Sequence, residues 1–174
     1  MTNRNLLIAM PVRNESKTLT SVIAEIRSQI SDCDILAVED GSSDDTVAQA
    51  KKNGAKVISL PVGLGYGGAI RVAMHAALHR RDEYLITMDG DGQHDAADLR
   101  NLLQPLINNT ADLTIGSRFA GTAHYPISFS RRLVMLFFAR LSSVVTGTKI
   151  TDSSCGFMAF NHNALRHLAN YCAD

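Results

Sequence analysis

Short, almost uninterrupted apolar runs alternate with helical patterns along nearly the whole chain, and this alternation narrows the fold more than any other feature. Leu6–Met10, Ile35–Glu39, Lys56–Leu60, Tyr84–Met88 and Leu113–Gly116 read as strands. Most are near-continuous rather than alternating, as parallel strands covered on both faces require. Between them, Leu19, Val22, Ile23, Ile26 and Ile30 recur at helical spacing. Asp44–Asn53 reads as a second helix, opened by Ser42 or Ser43 and closed by Gly54. Ala69–Arg80 is a third, and Ala96–Ile107 a fourth, with Asp95 as its cap and Asp98 completing a capping box. Ser130–Thr146 follows as a long amphipathic helix, then Met158–Phe160 as a late strand and Asn163–Tyr171 as a last helix. Strand–helix alternation implies right-handed crossovers and a mainly parallel central sheet flanked by helices, an α/β fold. At 174 residues the chain is long enough for one such domain with a real core.

Composition removes several function classes. Lys+Arg and Asp+Glu are both 17, so no global charge argues for nucleic acid and a basic site must be local. Cys33, Cys155 and Cys172 form no CxxC pair, which speaks against a disulfide framework or a zinc site and fits a reducing cytoplasm. The apolar run at the start stops at Pro11 and Arg13 without a small-residue cleavage site, so it reads as a strand and not as a signal peptide. No apolar stretch approaches the ~20 residues that span a bilayer. The nearest, Leu133–Val145, is interrupted by Arg140, Ser142 and Ser143.

In open parallel sheets, ligands sit beyond the carboxyl ends of the strands. Residues 11–15, 39–42, 62–68, 89–94 and 117–118 should therefore share one rim. Asp89 and Asp91 follow the fourth strand, and Gly90 and Gly92 let the backbone bend so that both carboxylates approach one cation. A hard ion such as Mg²⁺ or Mn²⁺ takes one or two carboxylates and completes its shell with phosphate oxygens and water. A bare Asp-Gly turn is the bland alternative. An EF-hand is excluded by Gln93 and His94, which stand where further ligands would be needed. At the second strand end, Asp40 is placed to accept hydrogen bonds from a base or ribose, while Asp44 and Asp45 suit a helix start. Gly63-Leu64-Gly65-Tyr66-Gly67-Gly68 satisfies G-x-G-x-x-G between a strand and a helix, with an acid about 20 residues on. That admits a nicotinamide-dependent oxidoreductase as a rival. The motif, however, follows the third strand rather than the first, and this reading leaves Asp91 and Gln93 without a role.

Six segments in order resemble the family-2 inverting glycosyltransferases, and within them the dolichyl-phosphate mannosyltransferase-like, or polyprenyl-phosphate glycosyltransferase, group. Residues 11–15 resemble P-x-x-N-E, residues 38–46 V-D-D-G-S-x-D-G-T, and residues 63–71 the G-x-G-x-A-I-R loop. Residues 88–94 resemble M-D-A-D-x-Q-H, residues 116–118 match G-S-R, and residues 152–157 resemble D-x-x-S-G-F. The resemblance implies a GT-A (Rossmann-like) domain over residues 1–174, cut short at its C-terminus where such proteins continue into membrane-facing or transmembrane segments. It implies that Pro11, Arg13, Glu15, Asp40, Gly65, Arg71, Asp89 and Gly90 bind the nucleotide-sugar. Asp89, Asp91 and Gln93 would hold Mg²⁺ or Mn²⁺. Arg118 would meet phosphates, with Arg131 beside the acceptor phosphate, and Asp91, Arg118 and Asp152 would stand closest to the chemistry. Glu39 for Asp, Asp45 for Gly, Cys155 for Ser and an extra glycine are departures that bear on base and sugar choice.

A UDP- or GDP-sugar donor and a polyprenyl or dolichyl phosphate acceptor follow from this resemblance. A saccharide hydroxyl acceptor is the alternative, and a domain that binds donor without turnover a third class. A lipid phosphate is already anionic and needs positioning cations rather than a general base. The Q-x-x-R-W motif of enzymes with sugar acceptors is absent, since the chain has no Trp. Arg131 and Arg132 open the amphipathic helix, and Leu133, Val134, Leu136, Phe137, Phe138 and Leu141 would suit a lipid or the inner face of the cytoplasmic membrane. That helix is equally suited to packing on the core or on a partner subunit of a homo-oligomer. Asp152 would orient the acceptor, act as base or cap a loop; His94 would assist the metal shell or only begin the helix.

Overall fold

The computed structural model describes residues 5–117, 129–148, 150–152 and 155–171, with the side chains of 129–132, 170 and 171 excepted. Six strands, β1 (Leu6–Val12), β2 (Asp34–Glu39), β3 (Lys56–Ser59), β4 (Tyr84–Thr87), β5 (Leu113–Ile115) and β6 (Met158–Asn161), form one sheet in the order β3-β2-β1-β4-β6-β5. The pairs β3–β2, β2–β1 and β1–β4 are parallel. The late strand β6 lies antiparallel between β4 and β5, so β5 runs with β4. The carboxyl ends of β1 to β5 therefore share one rim.

Side-chain alternation along β1 divides the core. Leu6, Ile8, Met10 and Val12 face one layer, with α1 (Leu19–Gln29), α2 (Thr46–Lys52) and α4 (Leu99–Ile107). Leu7 and Ala9 face the other, with α3 (Gly65–Arg80) and α6 (His162–Tyr171). A strand apolar on both faces has to be sandwiched this way. The cost of ordering the chain is offset mainly here, at about 1.5–3 kcal/mol per fully buried large apolar side chain. At the amino edge of the sheet, Arg80 ties Asp34 to the buried Asp82.

Three local readings are corrected. α2 begins at Thr46, and its opening amide is taken by the Asp44 carboxylate at 3.0 Å rather than by Ser42 or Ser43, whose polar groups are used across loops. Asp95 does cap the following segment, accepting from the Ala97 amide at 2.8 Å, but as a single 3₁₀ turn over Ala96–Asp98 ahead of α4. The Asp98 carboxylate accepts from the Asn101 side chain instead of closing a capping box. α3 starts at Gly65, four residues before the expected Ala69, so the glycine loop supplies its first turn.

The last long helix, α5 (Phe129–Thr146), buries Met135 and Ala139 but leaves Phe137 65% and Val145 78% exposed. No described helix is long and apolar enough to cross a membrane. Because β6 joins β4 to β5 through the fully buried Phe160, Phe160→Ala should lower unfolding stability by about 3–5 kcal/mol. Urea denaturation should show this as a shifted midpoint with an unchanged slope.

Candidate active site

The rim is assembled by reciprocal hydrogen bonds between strand-end loops. Asn14, at φ 57°, donates its amide to Ser42 Oγ at 3.1 Å, while its side-chain oxygen accepts from the Ser43 amide at 2.8 Å. An asparagine tolerates this left-handed backbone better than most residues. One step on, the Glu15 amide donates to Thr46 Oγ1 at 2.8 Å and the Ser16 amide to Asp44 Oδ2 at 3.1 Å. Hydrogen bonds from Ser16 and Thr46 hold the Asp44 carboxyl well below the usual carboxylate range. Asp44 and Asn14 thus shape the site and do not line it. Glu39 likewise turns back to accept from the Ser42 amide.

Asp40 is 6% exposed and faces the start of α3. Its Oδ1 accepts from the Leu64 amide at 2.6 Å and its Oδ2 from the Gly65 amide at 2.9 Å. A carboxylate at a helix N-terminus satisfies orphan amides and the positive end of the helix dipole together. The glycine loop therefore spends these two amides on Asp40 and not on a pyrophosphate, contrary to the dinucleotide-fingerprint reading.

The D-G-D turn lies against the β1 loop. Thr18 Oγ1 is 3.0 Å from the Gly90 carbonyl and 2.9 Å from Glu15 Oε2. A β-carbon on Gly90 would lie 2.7 Å from Val12 Cγ1, so only glycine brings the turn this close. Asp91 Oδ1 accepts from the Gln93 amide at 2.9 Å, which curls the turn through Gly92 at φ 77°. Asp89 Oδ2 meets His94 Nε2 at 3.2 Å, and the His94 ring stacks on Phe157 at 5.0 Å. His94 thus braces Asp89. Asp89 Oδ1 is buried and has no hydrogen-bond partner. The Tyr66 phenol faces this carboxylate, and burial together with the Asp89 charge pushes its pKa up.

These loops enclose an open cavity of about 330 Å³. Pro11, Val12, Arg13 and Glu15 line it from the β1 end, Asp40 from β2, Gly65, Tyr66 and Ala69 from α3, and Asp89, Gly90 and Asp91 from β4. The expected residues Pro11, Arg13, Glu15, Asp40, Gly65, Asp89, Gly90 and Asp91 are brought together. Gln93 is exposed and outside the lining, as is Arg71, an exposed residue further along α3. Asp152 is 1% exposed and also outside it. Arg118 lies outside the described residues, and so does the side chain of Arg131. Val12, Tyr66 and Ala69 were not expected; an aromatic inside a glycine loop was the one visible signal.

Among the described residues, the lining sets Glu15, Asp40, Asp89 and Asp91 against Arg13 alone. Such a cavity repels a diphosphate unless a cation intervenes. Among the described residues no cluster of three or more His, Cys, Asp or Glu side chains could hold a metal alone. Two acidic side chains, one with a buried unpartnered oxygen, fit an ion that draws its remaining ligands from a bound phosphate and water.

A strand-end cavity with this D-G-D turn, on this sheet, defines a GT-A domain. Residues 7–169 match the family model described as glycosyl transferase family 2, and the chain belongs to that family. It is 26% identical to the UDP-N-acetylglucosamine–dolichyl-phosphate N-acetylglucosaminyltransferase of Methanococcus voltae, over 97% of this chain and 74% of that protein. It is 31% identical to the polyprenol monophosphomannose synthase of Mycolicibacterium smegmatis, over 96% of this chain and 65% of that protein. Among solved structures, glucosyl-3-phosphoglycerate synthase from Mycobacterium tuberculosis, in complex with Mn²⁺, UDP and phosphoglyceric acid, superposes with a TM-score of 0.69 at 20% identity. That match covers 92% of this chain and 56% of the solved one, so the chain spans just over half the length of that structure.

If Asp40 anchors the glycine loop, Asp40→Ala should speed amide exchange at Leu64 and Gly65 by about ten- to a hundredfold, the loss of a charge-assisted hydrogen bond at each. Exchange along β1 should be unchanged; NMR or mass-spectrometric exchange reads both.

Proposed function

We propose that this chain carries the catalytic domain of an inverting transferase that moves a sugar from a UDP- or GDP-sugar to a lipid phosphate, using Mg²⁺ or Mn²⁺. One observation supports it most: the D-G-D turn presents a buried, unpartnered Asp89 oxygen beside Asp91 in a cavity otherwise too acidic for a diphosphate. Asp89 and Asp91 would hold the cation, which supplies charge neutralisation to the departing diphosphate when bound. Pro11, Glu15 and the loop pinned by Asp40 would frame the nucleoside side, and among the described residues of the lining Arg13 offers the cationic side chain. Arg71 and Arg118 are assigned to phosphates and Arg131 to the acceptor phosphate by their places in the family pattern. Gln93 is kept as a metal ligand on that pattern alone.

A lipid phosphate acceptor is supported by relatives named for dolichyl and undecaprenyl phosphate, and by chemistry. A phosphate anion attacks without a general base, and the described lining of the cavity includes no His. Asp152 is then an orienting group for the acceptor side. The α5 segment carries Arg131, Arg132 and Arg140, no Asp or Glu, and an exposed apolar face. This suits an anionic bilayer surface, which we assign to the cytoplasmic face.

Asp91→Ala should abolish the Mn²⁺-dependent rise in melting temperature given by UDP, GDP or their sugars, a rise worth about 2.7 kcal/mol at a hundredfold excess over Kd in the parent. Transfer of radiolabelled sugar to a short polyprenyl phosphate should fall about a hundredfold or more. Equal metal-dependent binding by variant and parent would remove the assignment.

A further inference from the structure

Tyr66 has no part in the proposal above, yet it is the aromatic side chain lining the cavity. It stands on the first turn of α3, one residue after Gly65, whose amide Asp40 holds. The residue is 47% exposed, but its phenol end turns inward. A β-carbon on Gly156 would lie 1.8 Å from the Tyr66 hydroxyl and 2.8 Å from ring carbon Cζ. The phenol therefore ends on the bare backbone of Gly156. Asp89 Oδ1 lies 3.2 Å from the same point. Hydroxyl and carboxylate, from α3 and the β4 end, thus converge over one glycine, and the buried Oδ1, which no well-formed hydrogen bond satisfies, has the Tyr66 phenol as the polar group facing it.

We propose that Tyr66 is a positioning residue of the cation site: its phenol bridges the glycine loop to the D-G-D turn, shields the inner oxygen of Asp89 in the free chain, and is displaced when a divalent cation takes that oxygen. The inference rests on Asp89 being a cation ligand. Its logic is competition for one oxygen. A phenol oxygen seated beside a carboxylate occupies the approach that a metal ion with its phosphate and water ligands needs. The geometry also couples two events. Tyr66 shares a helical turn with Gly65, so displacing the phenol perturbs the loop that Asp40 holds on the nucleotide side of the cavity. Cation and nucleotide binding should then assist one another, each removing the same obstruction. Gly156 is explained in passing, since any side chain there would expel the phenol.

Mn²⁺ titrations of the whole chain, followed by the electron paramagnetic resonance signal of the free ion, test this in the parent and in Tyr66→Phe. The substitution keeps the ring on Gly156 and removes only the hydroxyl. Without nucleotide, Tyr66→Phe should bind Mn²⁺ about three- to tenfold more tightly, the scale of one hydrogen-bonding group. With UDP or GDP present, the added help that nucleotide gives to Mn²⁺ should shrink by a similar factor. A second readout is the tyrosine ultraviolet difference spectrum on adding Mg²⁺, which is legible because the chain has 4 Tyr and no Trp. It should appear in the parent and vanish in Tyr66→Phe. Equal or weaker Mn²⁺ binding by Tyr66→Phe, or a difference spectrum that persists in it, overturns the bridge and leaves the cation assignment standing. A parent that binds no Mn²⁺ with any nucleotide overturns both.

Discussion

The carboxylate of Asp40 is set against the opening turn of α3, where it accepts from two consecutive amides. This contact joins the end of β2 to the helix that covers the opposite face of the sheet from α1 and α2. Without it, Leu64 and Gly65 would present uncompensated donors at the positive end of a helix, and no fixed wall would close the cavity on that side. The backbone follows from the same constraint: Gly65 sits at φ 71°, a conformation that residues with side chains rarely adopt. The Asp40 amide is in turn held by the Val12 carbonyl, so the anchoring carboxylate is indexed to the central strand.

Against this frame, the acidity of the rim becomes functional rather than paradoxical. Carboxylates from three strand ends face one open cavity, and the surrounding hydrogen bonds leave Asp89 Oδ1 unsatisfied. Each support has a distinct cause: Gly90 must lack a side chain because of Val12, His94 is braced by Phe157, and Thr18 reaches the Gly90 carbonyl. If a cation binds between Asp89 and Asp91, such a site discriminates against anions that arrive without one.

The strands were legible because burial on both faces leaves continuous apolar runs, and Leu6–Val12 and Tyr84–Thr87 fall where those runs lie. The strand-end positions of the D-G-D turn and Asp40 were legible, but not that both Asp40 oxygens accept from the Leu64 and Gly65 amides. What was hidden depends on competition between polar groups at loop ends. Ser42 and Ser43 look like helix caps in isolation, but Asn14 takes both, and Asp44 reaches Thr46 instead. Gly65, Gly67 and Gly68 look like loop, yet α3 begins there because Asp40 supplies the cap from another strand. The place of β6 between β4 and β5, and the inward turn of Tyr66 onto Gly156, are long-range facts that no local pattern encodes.

The insertion of β6 has a consequence for the order in which the chain can acquire structure. β5 reaches the sheet only through β6, which is separated from it by more than forty positions in the sequence. During synthesis, β5 has no partner strand until residues 158–161 have left the ribosome. The block β3-β2-β1-β4 is under no such delay, and every described residue lining the cavity lies between Pro11 and Asp91. The block that carries this lining can therefore assemble early and by nearby pairings, whereas β5 and β6 join it last, across a connection of more than forty positions.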